Sequence, residues 1–556
     1  SNMADEILRK RVKTHEKEAK KGIKSDNEKI FEKKSNVNDS HILFGLIIFR
    51  ICNVFLVQTW HVPDEFWQSP EVAHKMVFGY GHLTWEWQEG IRGYVYPLLL
   101  AIVYKILDIF CLDFPILIIY FPRIIQAVFG AIGEYHVYKL AWLLYGASVA
   151  RWVLFCQVTS WFMFYCITRT LTNSMETALI SIALYYWELS QKVKPNTTSV
   201  VAKQTSATYK SLILASFSCL VRPTALVIWI PVCVARLQKE SPVHFFFIYV
   251  VPVGICSLIF SVLIDSYFYG KFLFVQYNFL SFNVMQNIGE IYGTHPWHWY
   301  ITQGVPVVLL SHLVPFAIGS YYFGRSQQKW LLFIGIDVAV FSLLSHKEFR
   351  FILPIVPMAM FICGIGMHHI ATAGVFRNLK KNDDLRNDNL HRNHYWSFKG
   401  KLLAIFLILT NVPVALYTGL IHQRGTLDVM RALEENIRDE SNTRILFLMP
   451  CHSTPYYSYL HTKVKMRFLD CTPSMQPGYI DEADRFYGNP RSWLNETFDK
   501  KQENLPSHLV LFDVLVKDIK TFLKEHLYTE CGRYFYLNFP SGRLGQSVLL
   551  FCKAST

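Results

Sequence analysis

Between His41 and Ile421 the sequence is a succession of apolar stretches, each close to the roughly 20 residues that a helix needs to cross a bilayer. Only 17% of its 556 residues are charged and 52% are hydrophobic, whereas about 25% are charged in an ordinary soluble domain. Collagen-like, disordered and disulfide-dense classes are therefore excluded. We predict a polytopic α-helical membrane protein with about 11 spans (11–13), near residues 41–60, 122–145, 148–168, 174–190, 211–221, 224–238, 243–264, 304–323, 330–344, 351–371 and 402–422.

The distribution of charge predicts the orientation in the membrane. The net charge is +13, and the excess lies in a polar tail, residues 1–40, and in the loops 191–210 and 372–400. By the positive-inside rule these three segments are cytoplasmic, and the acidic loop 61–95 lies on the far side. A cytoplasmic N-terminus and a far-side end of the span 402–422 require an odd number of crossings. Counting the apolar segment 94–112 as a further span would make that number even. We therefore expect it to lie at the membrane surface or to re-enter.

The last part of the chain, residues 423–556, has soluble character. Short strand-like runs, at 445–449, 465–469, 509–512, 534–539 and 547–551, alternate with helical ones, which predicts an α/β module on the far side of the membrane. Four cysteines in an oxidising compartment could form two disulfides, and all three connectivities of Cys451, Cys471, Cys531 and Cys552 are open. Asn495 begins an Asn-Glu-Thr sequon that could be glycosylated there.

Five polar runs come at the predicted outer ends of spans, where ionisable groups are functional candidates. They are His61–Gln68, Arg169–Glu176, Arg222–Thr224, Thr294–Tyr300 and Ser345–Arg350. In the first run, Asp64 and Glu65 suit a general base, although acidic residues at the start of an interfacial helix would look the same.

The basic residues of these runs suit an anion. His346, Lys347 and Arg350 could hold a phosphate at headgroup level, but ordinary interfacial anchors share this pattern. Arg222 could bind an anion or cap a broken helix. Arg169 and Asn173 could bind phosphate or sugar hydroxyls, or form a polar turn.

The aromatic, histidine and glycine patterns limit the kinds of site that this chain can contain. Tryptophans such as Trp297 are spaced as an interfacial belt, with stacking on a sugar as the alternative. His295 and His298 lack the partners of a catalytic zinc site, so no metal is expected. The sequence has no Walker loop, no dinucleotide-binding glycines and no nucleophile elbow.

Taken together, these motifs resemble glycosyltransferase family 22. The runs that carry the resemblance are His61-Val-Pro-Asp-Glu-Phe-Trp-Gln-Ser-Pro-Glu-Val-Ala-His74, Gly79-Tyr-Gly-His-Leu-Thr-Trp-Glu-Trp87, Arg169-Thr-Leu-Thr-Asn-Ser-Met-Glu-Thr177, Thr294-His-Pro-Trp-His-Trp-Tyr300 and Ser345-His-Lys-Glu-Phe-Arg-Phe351. The similarity extends over nearly the whole chain from residue 41. It implies a GT-C fold, with residues 41–422 as the transmembrane domain and 61–95 as its catalytic lumenal loop.

The resemblance also implies an activity in the endoplasmic reticulum membrane. The donor would be dolichyl-phosphate-mannose, the acceptor a glycosylphosphatidylinositol (GPI) precursor bearing two mannoses, and the α-1,2 transfer would invert the anomeric carbon without a cofactor. Asp64 matches the family's acidic position, with Glu65 as the second candidate. The donor phosphate would contact Lys347, Arg350, His346 and Arg222, and the substrates would contact Trp67, Gln68, Arg169, Asn173, His295 and Trp297.

Other functions remain open from the sequence alone. A relative could act on the N-glycan precursor, and a polytopic chain with broken helices could be a lipid transporter or scramblase, although no inverted repeat supports that. The C-terminal module could instead bind a partner. Nucleic acid is not an expected ligand, and the oligomeric state is undetermined.

Overall fold

A computed structural model describes residues 39–192, 198–238, 241–285, 289–290, 293–323, 328–379, 397–437, 439–474, 476, 478–500 and 504–553. The predicted cytoplasmic tail, up to residue 38, and parts of the two predicted cytoplasmic loops, 193–197 and 380–396, lie outside the described residues.

From Ser40 to Leu420 the described chain is mainly helical. The helices are Ser40–Leu56, Asp64–Trp67, Pro70–Phe78, Trp85–Gln88, Val95–Ile109, Pro115–Tyr145, Ala147–Thr159, Trp161–Cys166, Thr172–Lys192, Thr198–Val221, Leu226–Leu237, Pro242–Phe245, Val251–Tyr269, Val275–Leu280, Val305–Leu309, Leu313–Tyr322, Lys329–Leu343, Val356–Leu379 and Phe398–Leu420. Short 3-10 or π turns continue several of them, at Pro223–Ala225, Phe246–Val250, Ser281–Met285, Tyr300–Gly304, Leu310–His312 and Phe349–Ile355.

Several of these helices have the length and composition of membrane spans. Five helical segments qualify, namely Pro115–Tyr145, Pro242–Tyr269, Tyr300–Tyr322, Phe349–Thr372 and Phe398–Asn436, and two shorter apolar helices accompany them. Large apolar side chains such as Leu263 and Leu409 are exposed on them, as expected for surfaces that face lipid. The chain is thus a multi-helix membrane protein, and the count of 11 spans stays a prediction.

The segment predicted to lie at the surface forms a separate helix, Val95–Ile109. One side of it, including Leu100 and Tyr104, is buried against the rest of the protein, while Ile102 and Ile106 are exposed. Its path relative to a bilayer remains a prediction.

The C-terminal module is an α/β unit built on one mixed sheet. Its strands are β1 (Arg444–Leu448), β2 (Lys465–Phe468), β3 (His508–Phe512), β4 (Tyr528–Phe535) and β5 (Ser547–Lys553), in the order β2-β1-β3-β5-β4. β1 is parallel to β2 and β3, and β5 is antiparallel to β3 and β4. The module's helices are Gly425–Asn436, Tyr457–Leu460, Glu482–Gly488, Pro490–Leu494 and Val516–Glu525, with short turns at Asn495–Lys500 and Asp513–Leu515.

One predicted strand of this module is displaced along the chain. The apolar run 534–539 predicts a strand there, but β4 occupies Tyr528–Phe535. β4 is an edge strand with mostly exposed side chains, so it lacks the apolar alternation that marks a half-buried strand. Tyr536 and Leu537, two apolar residues of the run on which the prediction was based, instead belong to the apolar cluster between the module and the membrane domain.

Two disulfides fix the module and settle the open connectivity. Cys451 pairs with Cys471, and Cys531 pairs with Cys552. The second disulfide joins β4 to β5, which helps to hold an edge strand that has only one neighbour. Asn495 of the predicted glycosylation site is exposed.

The module is joined to the membrane domain by a shared core. Trp60, Phe66 and Trp67 of the first loop belong to the same buried cluster as Leu427 and Phe447 of the module. Because aromatic side chains bury a large apolar area, this cluster packs the module directly against the membrane domain.

Glu71 strengthens this contact with hydrogen bonds. It is fully buried, and its Oε1 accepts bonds from the backbone N–H groups of Tyr456 (2.7 Å) and Ser458 (3.1 Å) and from the Ser458 hydroxyl (2.7 Å). Burial raises the pKa of Glu71 to about 7, although these hydrogen bonds act in the opposite direction.

The junction between the two parts is sterically tight. Gln423, after the last membrane helix, accepts a hydrogen bond from the Trp60 N–H (3.2 Å) and donates one to the Tyr536 carbonyl (2.9 Å). A Cβ on Gly425 would lie 2.7 Å from the Phe535 carbonyl oxygen. Glycine is therefore required for the helix to begin this close to β4.

Candidate active site

A cavity of about 480 Å³ lies between the membrane helices, the first loop and the module. Its walls come from some of the residues within 62–68, 84–92, 222–224, 279–283 and 341–351, together with Gly289, Cys451, His452 and Cys471. Three of the five predicted polar runs line it, and the other two support those three from behind. The volume is within the range of small-molecule sites, roughly 300–1,000 Å³.

Asp64 lies at the wall of this cavity, at the start of the short helix Asp64–Trp67. Pro63 precedes the helix, and proline suits such a helix start because it lacks the N–H that would be unpaired there. The Asp64 side chain is 24% exposed, and its Oδ2 accepts a bond from Arg350 Nη1 at 2.5 Å. It is thus a carboxylate held by a cation but still accessible from the cavity.

Glu65 points into a different environment. It is 1% exposed and does not line the cavity. Its Oε2 accepts a bond from Arg169 Nη1 at 2.7 Å, and Arg169 also donates to the Thr59 carbonyl at 2.6 Å. The two neighbouring acids that the sequence could not separate therefore have different partners, and Arg169 lies with Glu65 in the protein interior.

Arg350 is held by carboxylates on two sides. Besides Asp64, it donates from Nε (2.7 Å) and Nη2 (2.6 Å) to the two oxygens of Glu348. Asn173 supports the same turn, because its Nδ2 donates to the Arg350 carbonyl at 3.1 Å. Burial alone would raise the pKa of Glu348, but Arg350 and the hydrogen bond from His346 hold it well below its usual range.

The other members of the predicted basic cluster differ in position. His346 lines the cavity and contacts the Gly293 carbonyl through Nδ1 (3.0 Å) and Glu348 through Nε2 (3.1 Å). Lys347 is 3% exposed and does not line the cavity; its ammonium donates to the carbonyls of His295 and Leu344. Lys347 therefore fastens two loop segments together in this structure, with His295 as its partner.

Two more arginines reach the cavity. Arg222 lies 3.4 Å from Glu176 and 3.2 Å from the Thr224 hydroxyl. Arg92 donates from Nη2 to Glu86 at 2.6 Å, and its buried Nε has no partner within the described part of the chain. Arg92 is not among the residues predicted for the site, although it is one of only two basic residues in the acidic loop 61–95.

The predicted substrate-contacting aromatic and amide residues divide into two groups. Trp67 and Gln68 line the cavity, Trp67 donating to the Thr454 carbonyl (3.0 Å) and Gln68 to Glu86 (3.3 Å). Trp297 is 68% exposed and lies outside the cavity lining, as an interfacial tryptophan would.

The module supplies one wall of the cavity. Cys451, His452 and Cys471 line it, and among the described residues they form the one cluster of side chains spaced for a metal ion. Both sulfur atoms belong to a disulfide, so they are not thiolates that could bind a metal. No local pattern around these residues predicts that they line the same cavity as Asp64.

Solved structures share this architecture at low sequence identity. ArnT from Cupriavidus metallidurans in the apo state has a TM-score of 0.56 and 11% identity, covering 92% of this chain and 97% of that chain. The same enzyme bound to undecaprenyl phosphate has a TM-score of 0.54 and 11% identity, covering 93% and 98%. The likeness is one of fold, and it confirms the predicted GT-C architecture.

Named relatives are much more similar in sequence. GPI alpha-1,2-mannosyltransferase 3 of Danio rerio is 43% identical over 525 residues, 93% of this chain and 90% of the relative. The human protein of that name is 42% identical over 517 residues, 92% and 86%. Residues 41–461 match the Alg9-like mannosyltransferase family, so this chain is a member of that family.

Proposed function

We propose that this protein transfers mannose from dolichyl-phosphate-mannose, in α-1,2 linkage, to a GPI precursor that already carries two mannoses. The observation that carries the proposal is one cavity in which an accessible carboxylate, Asp64, lies beside the guanidinium of Arg350. A base for the attacking hydroxyl and a cation for a phosphate leaving group are the two elements that such a transfer needs. The near-full-length identity to GPI alpha-1,2-mannosyltransferase 3 supports this acceptor.

The reaction follows from these groups. A hydroxyl of the acceptor's terminal mannose attacks the anomeric carbon of the donor, and Asp64 takes the hydroxyl proton. The bond from that carbon to the phosphate oxygen breaks, its electron pair leaves with dolichyl phosphate, and Arg350 with Arg222 stabilises the charge. One displacement inverts the configuration, so a β-linked donor gives an α-linked product.

The geometry favours Asp64 over Glu65 as the base. Glu65 is buried, paired with Arg169 and absent from the cavity lining. A general base must reach the proton that it removes, directly or through one water. We assign Glu65 to positioning the loop that presents Asp64. We propose no cofactor, because mannose on a phosphate is already activated for displacement.

The donor phosphate is assigned to Arg350, Arg222 and His346, all of which line the cavity. Lys347 supports this site by holding the loop rather than by direct contact. ArnT, which shares the fold, binds undecaprenyl phosphate. The dolichyl phosphate part of the donor proposed for this chain belongs to the same chemical class, the polyprenyl phosphates.

We place the cavity and the module on the lumenal side of the endoplasmic reticulum membrane, with the N-terminus cytoplasmic. The two disulfides of the module support an oxidising compartment. Asn495 is exposed and available for glycosylation. Removal of a glycan by endoglycosidase H in the wild type, and no mobility shift in Asn495→Gln, is the expected result; a wild type without a lumenal glycan would argue against this orientation.

Transfer is tested with the purified protein in lipid nanodiscs, radiolabelled dolichyl-phosphate-mannose and synthetic GPI precursor with two mannoses. We expect a product with a third, α-1,2-linked mannose, sensitive to an α-1,2-mannosidase, and none with Asp64→Asn. Transfer only to an N-glycan precursor would favour the other mannosyltransferase function. Movement of lipid between leaflets without transfer would favour a transporter.

A further inference from the structure

A second cavity of about 390 Å³ adjoins the first. Thr84, Trp85 and His452 line both, so they form a shared wall between the two spaces. The second cavity opens between the loop around residues 82–88 and the β2 region of the module, at residues 466–472 and Glu482. A ligand that extends from the reacting centre past this wall would contact the module.

The side chains of this cavity suit a neutral ligand rich in hydroxyl groups. Arg467 donates from Nη2 to Glu482 at 2.7 Å, which neutralises its charge, and Glu482 also accepts a bond from the Asp470 backbone N–H at 2.8 Å. Asp470 adds another acceptor. An anion would find no surplus positive charge here, whereas sugar hydroxyls can both donate and accept.

The shared wall contains a hydroxyl group, that of Thr84, without a hydrogen-bond partner among the described residues. The Thr84 hydroxyl is buried and has no partner within the described residues, although the residue is only 5% exposed. Buried hydroxyls are normally paired, so an unpaired one beside two cavities indicates a ligand or an ordered water. Gln88, one helical turn further, contributes an exposed amide to the same cavity.

We propose that the second cavity binds the mannose of the acceptor that precedes the reacting one, so that the C-terminal module selects the acceptor. This inference rests on the proposed function for the identity of the glycan. The terminal mannose then occupies the first cavity near Asp64, and the chain of sugars crosses the Thr84–Trp85 wall. The donor is recognised in the first cavity, at Arg350 and Arg222, which do not line the second cavity.

Kinetics separate this site from the donor site. Thr84→Val and Gln88→Ala should each raise the KM for the acceptor about 10-fold, the effect of losing roughly one hydrogen bond. The KM for dolichyl-phosphate-mannose and kcat at saturating acceptor should stay near wild type. The matched controls are Thr529→Val and Gln546→Ala, which alter exposed residues of the module that line neither cavity. An unchanged acceptor KM in both cavity variants, with folded protein, would overturn the proposal.

Direct binding tests the site independently of transfer. The probe is a soluble dimannosyl-glucosamine glycoside with a short alkyl chain, titrated calorimetrically into wild type and into the double variant Thr84→Val/Gln88→Ala. Binding to wild type that weakens at least about 10-fold in the double variant supports the site, even if no GPI transfer is detected. Equal binding to wild type and to the double variant, or no binding to wild type, refutes the proposed site. Wild-type protein that binds the probe but transfers no mannose would refute the proposed function alone.

Discussion

Arg350 is ion-paired with Asp64, Nη1 to Oδ2, at 2.5 Å across 286 residues of sequence. The proposed base and the residue proposed to bind the donor phosphate are therefore partners of each other. A donor phosphate that binds Arg350 competes for the same guanidinium. We expect this competition to free the Asp64 carboxylate for the hydroxyl of the acceptor. We therefore expect this contact to couple donor binding to release of the proposed base, while the Glu348 carboxylate keeps Arg350 in place.

Arg350→Lys should impair donor use more than acceptor use. Lysine keeps the charge but cannot bridge Asp64 and Glu348 with a planar fork. We expect the KM for dolichyl-phosphate-mannose to rise about 10-fold or more and kcat to fall, from steady-state kinetics with each substrate varied in turn.

The matched control is Arg424→Lys, whose arginine pairs with Asp428 on the module surface and is partly exposed. It should behave as wild type. A variant Arg350→Lys with unaltered donor KM would remove Arg350 from the donor site.

Asp64→Asn should abolish catalysis without unfolding the protein. The amide cannot accept the proton, and general bases contribute about 10²–10⁴-fold to rate. Single-turnover transfer measures the loss at saturating substrates, and a melting temperature close to wild type shows that the fold is kept. Transfer at the wild-type rate in Asp64→Asn would exclude the base assignment.

Glu65→Gln should affect stability more than chemistry. Glu65 and Arg169 are both buried, and removing one partner of a buried pair costs about 3–5 kcal/mol because the other charge is left unpaired. Thermal unfolding in detergent should show a clearly lower melting temperature.

The double variant Glu65→Gln/Arg169→Met tests the cause of this loss. Removing both charges should recover part of the stability that the single variant loses. If Glu65→Gln keeps its melting temperature and loses transfer, then Glu65 acts in the chemistry instead.

The sequence could predict the membrane class and the polar runs, because spanning length and loop charge are local properties. It could not separate Asp64 from Glu65, since the Glu65 partner Arg169 lies 104 positions away and is reached only through the fold. It could not place His452 at the cavity for the same reason. Lys347 looked like a phosphate ligand by residue type, but its ammonium is already used by two carbonyl groups.

Docking of the module should weaken as the pH rises from about 4.3 to about 7. Burial raises the pKa of Glu71 to about 7, whereas an unfolded chain has a glutamate pKa of about 4.3. The folded state therefore binds the proton more tightly, and this contribution to stability is fully present below the unfolded pKa and is lost as the pH rises to about 7. Relative to Glu71→Gln, wild type should lose up to about 1.4 kcal/mol per pH unit over that interval.

Melting temperatures from about pH 4 to about pH 8 in the same detergent, a range that contains the interval over which the shift acts, measure this difference. Glu71→Gln keeps the oxygen that accepts from Tyr456 and Ser458 but cannot ionise, so its curve should be flatter than that of wild type. Glu89→Gln, at an exposed position of the same loop, controls for the general effect of pH and should run parallel to wild type. Parallel curves for Glu71→Gln and wild type would show that the Glu71 carboxyl does not carry the pH dependence of the docked state.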